Sequence, residues 1–152
     1  MVLVNDIDDL LAGTLRSRQR LHTVVSGLDE TALGRRTTSG WTVAATLVHL
    51  AFYDDWVSER WRRYLVVGTI QDLPDDITDL VNTAGERGWQ VVDPIRARTI
   101  VIEAADAVAD LIHKLPRTAL VDALTTDRAA LVDRSLHWDP HLDEIEQART
   151  AT

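Results

Sequence analysis

Apolar residues recur along most of this chain every three or four positions, the period of a helix that buries one face. Ile7, Leu10, Leu11, Leu15, Leu21, Val25 and Leu28 predict a first amphipathic helix over about residues 6–27. Gly27 and Gly34 bracket a polar connection. Thr42, after Ser39-Gly40-Trp41, is placed to cap a second helix through about Leu65, with Gly68 just beyond its end. A looser stretch holds Pro74, Gly85 and Gly88, and predicts a short helix near 75–84 followed by irregular chain. Asp93-Pro94 reads as a cap followed by proline at the first helical position, opening a third helix to about Leu115. Pro116 stops it, and residues 118–124 have the length for one or two turns. Asp127 is then placed to cap a fourth helix reaching about Arg149. Period-two alternation is sustained nowhere. Four long amphipathic segments must bury their stripes against one another. They predict one all-α domain over residues 1–152, an antiparallel four-helix bundle with its longest connection between the second and third helices.

Candidate chemistry begins with the five histidines. His22 and His113 read as structural or surface residues. His137 and His141 lie four apart on the last helix, so both rings project from one face and can reach one ion. Alone, that spacing arises by chance in many helices. A third ligand has to come from another helix, and His49, midway along the second and beside its apolar face, is the candidate. Pro140 lies between the paired histidines. Proline removes a helix hydrogen bond and clashes with the carbonyl four residues back, here that of Leu136. Either the last helix kinks there, or Asp139-Pro140 opens a new segment and takes His137 off the shared face.

Composition narrows the chemistry. The chain has 152 residues, long enough for one real core, and no cysteine. A metal must therefore be held by His, Asp or Glu, and any thiol must arrive as a cosubstrate. The N-terminus carries no basic region and no long apolar run, and no apolar stretch approaches bilayer-spanning length, so a cytoplasmic protein without membrane association is expected. A net charge of −8 disfavours nucleic acid as a partner. The basic clusters Arg16, Arg18, Arg20 and Arg60, Arg62, Arg63 read as solvated helix faces.

Residues beside the histidines suggest roles. Arg134, three before His137, could hold a substrate carboxylate. Glu144, three after His141, could orient a histidine or act as a base. A surface charge network is an equal reading for both. Tyr53 and Trp56 follow His49 by four and seven residues and could wall a substrate pocket, or belong to the core. Asp54 falls among Leu47, Leu50, Val57 and Trp61 by helical angle. A carboxylate there needs a partner, and a buried pairing with an arginine is preferred to a place in the metal shell.

Two motifs carry a resemblance. Trp41-Thr42-Val43 with Leu47-Val48-His49-Leu50-Ala51, and Leu136-His137-Trp138-Asp139-Pro140-His141-Leu142-Asp143-Glu144-Ile145, are similar in order and spacing to the signatures of the DinB-like superfamily. That group includes YfiT-like proteins, the mycothiol-dependent maleylpyruvate isomerase domain and ClbS/DfsB-type proteins. The resemblance implies a four-helix bundle with one divalent ion, often zinc or nickel, on His49, His137 and His141. It also implies thiol-dependent transferases or isomerases that use mycothiol, bacillithiol or glutathione. Three readings follow: a metal-dependent S-transferase or isomerase acting on a small electrophile, a metal-assisted hydrolase of a small molecule or toxin, and a metal-binding stress or interaction module without catalysis. An apolar-lined cavity beside the histidines would favour the enzymes. A basic groove leading to them would favour an anionic thiol. A homodimer through helix faces is compatible with the pattern.

Overall fold

A computed structural model describes residues 4–151. Seven helices follow one another: α1 (Val4–Ser26), α2 (Glu30–Gly34), α3 (Val43–Val67), α4 (Ile77–Trp89), α5 (Pro94–Lys114), α6 (Arg117–Thr125) and α7 (Ser135–Thr150). One turn of tighter helix, Ala129–Leu131, precedes α7. No strand is present among the described residues. No helix among them is long and apolar enough to cross a membrane.

The most extensive packing is α3 on α5. Its basis is a stripe of small residues on α5: Ala97, Val101, Ala104, Ala105, Val108 and Ala109 are all buried at helical spacing, so the two backbones approach closely. α1 packs on both α5 and α7, and α3 also meets α4 and α7. The N-terminal half of α3 is therefore enclosed nearly all round. Every residue from Val43 to Ala51 is buried, His49 among them. Trp61 and Trp138 are fully buried in the core.

The caps read from the sequence are present. Thr42 accepts a hydrogen bond from the Ala45 N–H, and Asp93 accepts one from that of Arg96 ahead of Pro94. Gly68 closes α3 with a left-handed φ of 83°.

Two boundaries differ from expectation. The short helix near 75–84 runs on through both glycines to Trp89. The Trp89 ring is the reason. It packs 5.3 Å from Trp41 and 4.9 Å from His49 between ring centroids, and this burial offsets the weak helix propensity of glycine. Asp127 caps no helix. It sits at φ 58°, and the chain turns there before α7 begins at Ser135. The Asp133 carboxylate does the N-terminal work instead, accepting from the Ser135 N–H at 3.0 Å and the Ser135 hydroxyl at 2.5 Å.

The two glycines of α4 separate packing from propensity. A Cβ on Gly85 would stand 2.5 Å from the Trp89 ring, whereas one on Gly88 would meet nothing within 4 Å. Gly85→Ala should destabilise the fold by about 1–3 kcal/mol. Gly88→Ala should stabilise it by about 0.5–1 kcal/mol. Urea unfolding of the two variants beside wild type checks both signs.

Candidate metal centre

His49 from α3 and His137 and His141 from α7 converge. Each can offer one ring nitrogen such that the three atoms lie within 4.8 Å of one another, and together they could hold a metal ion. The Nε2 atoms of His49 and His137 are 3.1 Å apart. A tetrahedral ion with nitrogen bonds of about 2.0–2.1 Å spaces its ligands by roughly 3.3 Å, so the separation suits one. Ring centroids lie 4.9 Å apart for His49 and His141, and 5.1 Å apart for His137 and His141. Pro140 lies inside α7, which runs unbroken from Ser135 to Thr150. No new segment opens at Asp139-Pro140, and both rings stay beside His49.

Side chains of α1 set where α7 begins. Buried Thr14 uses its hydroxyl to accept from the Arg134 N–H at 3.1 Å. The Ser17 hydroxyl donates to Asp139 at 2.8 Å. Arg20 reaches Asp139, Asp143 and Glu146.

Asp54 has the arginine partner its position demands, and that partner is Arg134. The guanidinium donates through Nε at 2.9 Å, and Nη2 lies 2.9 Å from the same carboxylate oxygen. The Trp138 indole donates to both oxygens. Burial pushes the Asp54 carboxyl up to about 6, against the Arg134 charge and these hydrogen bonds, so it is ionised at neutral pH. Arg134 also donates through Nη1 to the Ala130 carbonyl and through Nη2 to Nδ1 of His137. Arg134 lines the cleft beside His137, where the sequence suggested a grip on a substrate carboxylate, but its donors are committed within the protein. Its side chain is 3% exposed, and each guanidinium nitrogen already has a partner. It positions His137.

The contact has a consequence for the ring. A guanidinium only donates, so Nδ1 of His137 accepts and the ring hydrogen sits on Nε2, facing His49. Ligation through that Nε2 by the neutral ring requires the hydrogen on Nδ1 instead, and Arg134 then gives up this bond. His49 and His141 carry no such commitment. Nδ1 of each is buried and makes no hydrogen bond among the described residues. Glu144 Oε2 stands 3.5 Å from Nδ1 of His141, placing it to orient that ring.

Burial is the main cause of a lowered pKa at His49, to about 3, with a smaller push from His141. Burial, then Arg134, lowers His137 as well. Both rings are thus neutral at physiological pH, the state a metal ligand needs.

The histidines form one end of a cleft of about 770 Å³, also lined by Tyr53, Trp56, Arg60 and Arg128. Tyr53 and Trp56 are among its lining residues. Burial, with Asp79, raises the Tyr53 phenol, which donates to Asn82 at 2.8 Å. Trp89 packs on His49; the sequence left it, with Trp41, Trp61 and Trp138, as core or rim, because Gly85 and Gly88 suggested irregular chain there. Its one signal was a tryptophan four residues after Gly85.

Two outcomes test this arrangement. Asp54→Ala strands the Arg134 charge in the core and should cost about 3–5 kcal/mol in urea unfolding. The second concerns pH in metal-free protein. The unfolded chain takes up a proton on His49 near 6.5, whereas the folded chain resists until about 3. Acid therefore favours unfolding: stability present above pH 6.5 is lost as pH falls toward 3, by at most about 1.4 kcal/mol per pH unit for this ring. The Asp54 shift acts in the opposite sense, but it is common to wild type and His49→Gln. Between pH 6.5 and 4.5 the variant should lose less stability than wild type, and equal slopes would refute the assignment.

Compared with protein-family models, curated proteins and solved structures, the chain shows no match.

Proposed function

We propose that this chain is a divalent-metal-dependent enzyme of the DinB-like kind, with zinc or nickel on His49, His137 and His141, acting on a small electrophile with a low-molecular-weight thiol as cosubstrate. The observation that carries the reading is the convergence of three imidazoles, from two distant parts of the chain, at one end of a cleft of about 770 Å³. A structural metal site has no use for such a space, whereas a catalytic one needs it. The cleft favours the enzyme readings over a non-catalytic module. The packing of α1 on α5 and α7, and of α3 on the same two helices, supports a four-helix bundle as the frame.

A bound ion would supply Lewis acidity at an open position, where it lowers the pKa of a thiol or water. The protein's own contribution is orientation and exclusion of water. Trp41 and Trp89 pack on His49, and Tyr53 packs on both His49 and His137. Asp54 holds Arg134 beside Nδ1 of His137, a contact that ligation through Nε2 of the neutral ring would replace, and Glu144 aims at His141. With no cysteine in the chain, a thiol nucleophile would have to arrive as a cosubstrate. Metal-assisted hydrolysis remains the alternative reaction at the same centre.

Protein purified without an affinity tag should take up one zinc or nickel ion per chain. His49→Ala and His141→Ala should each weaken that binding at least tenfold, read by metal analysis and titration. Stoichiometric metal in both variants would overturn the site. Thiol-dependent conjugation of halogenated acceptors, or isomerisation of maleylpyruvate-like acids, should vanish with a chelator and return with the ion. Retained metal without turnover with mycothiol, bacillithiol or glutathione would overturn the transferase reading alone.

A further inference from the structure

The floor of the cleft is a single face of α3. His49, Tyr53, Trp56 and Arg60 follow at intervals of four, three and four residues, and all four line it. At about 100° per residue these positions fall within an arc of roughly 60°. The stripe runs from imidazole through two aromatic rings to a guanidinium. Tyr53 and Trp56 are stacked, with centroids 5.9 Å apart and an interplanar angle of 26°.

Arg60 differs from the other arginines of the site. Among the described residues its guanidinium makes one hydrogen bond, from Nη2 to the Gln71 carbonyl at 2.8 Å. Its Nε is buried without an acceptor. A second cation, Arg128, lines the same cleft, and its acid partner is the exposed Asp72. Burial, then the Arg128 charge, disfavour the charged form of Arg60, with the Asp72 carboxylate acting in the opposite sense. Two guanidiniums lining one cleft, one of them with most of its donors unused, form a place that an anion would stabilise. Asp75 and Asp127 line the same cleft and are exposed.

We infer that Arg60, with Arg128, forms a carboxylate-binding subsite at the far end of the cleft from the three histidines. The ligand it fits is elongated, with an anionic end on the guanidiniums, a middle that packs on Tyr53 and Trp56, and its reactive atom at the imidazoles. Eleven residues of helix separate the Cα atoms of His49 and Arg60 by about 16 Å, so a ligand touching both ends is on the order of 10 Å long. That length suits a peptide-like thiol with a remote carboxylate better than a four-carbon acid or an uncharged sugar thiol. The assignment deepens the proposed function and rests on its reading of the cleft as the ligand site. It also moves the anion anchor from Arg134, which is fully engaged, to an arginine that the sequence placed on a solvated face.

The test uses a ligand that cannot depend on a metal. S-hexylglutathione and its diethyl ester are titrated into metal-free wild type, Arg60→Met and Arg60→Lys, followed by tryptophan fluorescence. The free acid should bind wild type at least tenfold tighter than Arg60→Met, with Arg60→Lys between them. The ester should bind all three alike. Equal affinity of wild type and Arg60→Met for the acid, or of acid and ester for wild type, overturns the subsite. A parallel arm with 6-phenylhexanoate identifies the source of the carboxylate. Arg60-dependent binding of this acid alone assigns the carboxylate to the electrophilic substrate, and binding of the glutathione thioether alone assigns it to the cosubstrate; either supports the subsite. If neither acid binds wild type, the subsite fails. Zinc titration of the same samples reports on the metal centre separately, and Arg60→Met should keep wild-type stoichiometry.

Discussion

The contact between Asp54 and Arg134 holds the rest of this structure in place. A carboxylate in the middle of an apolar helix face can exist only if something cancels its charge, and the cancelling group comes from the start of α7. That requirement ties α3 to the one segment of α7 that bears His137. It also uses the guanidinium completely: carboxylate on one edge, main-chain carbonyl on another, imidazole nitrogen at the tip. Replacing the pair with apolar residues of similar volume could leave a stable helical protein. What would be lost is the fixed angle of one ring relative to two others.

Much of the frame was legible in the residues because it rests on local chemistry. Thr42, Gly68 and the Asp93-Pro94 pair mark their helix ends by hydrogen bonds and φ angles that belong to those residue types. The burial of Asp54 and its need for an arginine followed from helical angle alone. The identity of that arginine did not, since it depends on how two distant helices meet. The start of α7 was misplaced for a related reason. Asp127 and Asp133 look alike as caps in isolation, and what sets Asp133 apart is a contact from a distant helix, that of Thr14 on α1. The extent of α4 was hidden because glycine discourages helix locally, while the burial that rescues it comes from Trp41, His49 and Phe52. Arg60 was hidden because its neighbours in sequence, Arg62 and Arg63, are ordinary exposed residues.

The electrostatics of the site follow from the same enclosure. Aromatic rings of α3, α4 and the segment before α3 pack on His49 and remove the water that would solvate an imidazolium. A protein of net charge −8 therefore keeps neutral nitrogen donors together instead of a cationic cluster. The positive charge in the cleft is held apart from them, on guanidiniums that do not lose their protons.

The proline within α7 sets where this helix gets its strength. Pro140 has no N–H to offer the Leu136 carbonyl, so the ladder of helix hydrogen bonds is interrupted one turn after it begins. The residues ahead of the interruption are kept in place by Thr14, Ser17 and Asp133. The first turn thus depends on contacts from outside the helix, the α1 hydroxyls and the buried Asp54 carboxylate that Arg134 and Trp138 share. His137 rides on that turn, so the placing of one imidazole is set by neighbouring helices and not by the hydrogen-bond ladder of its own helix.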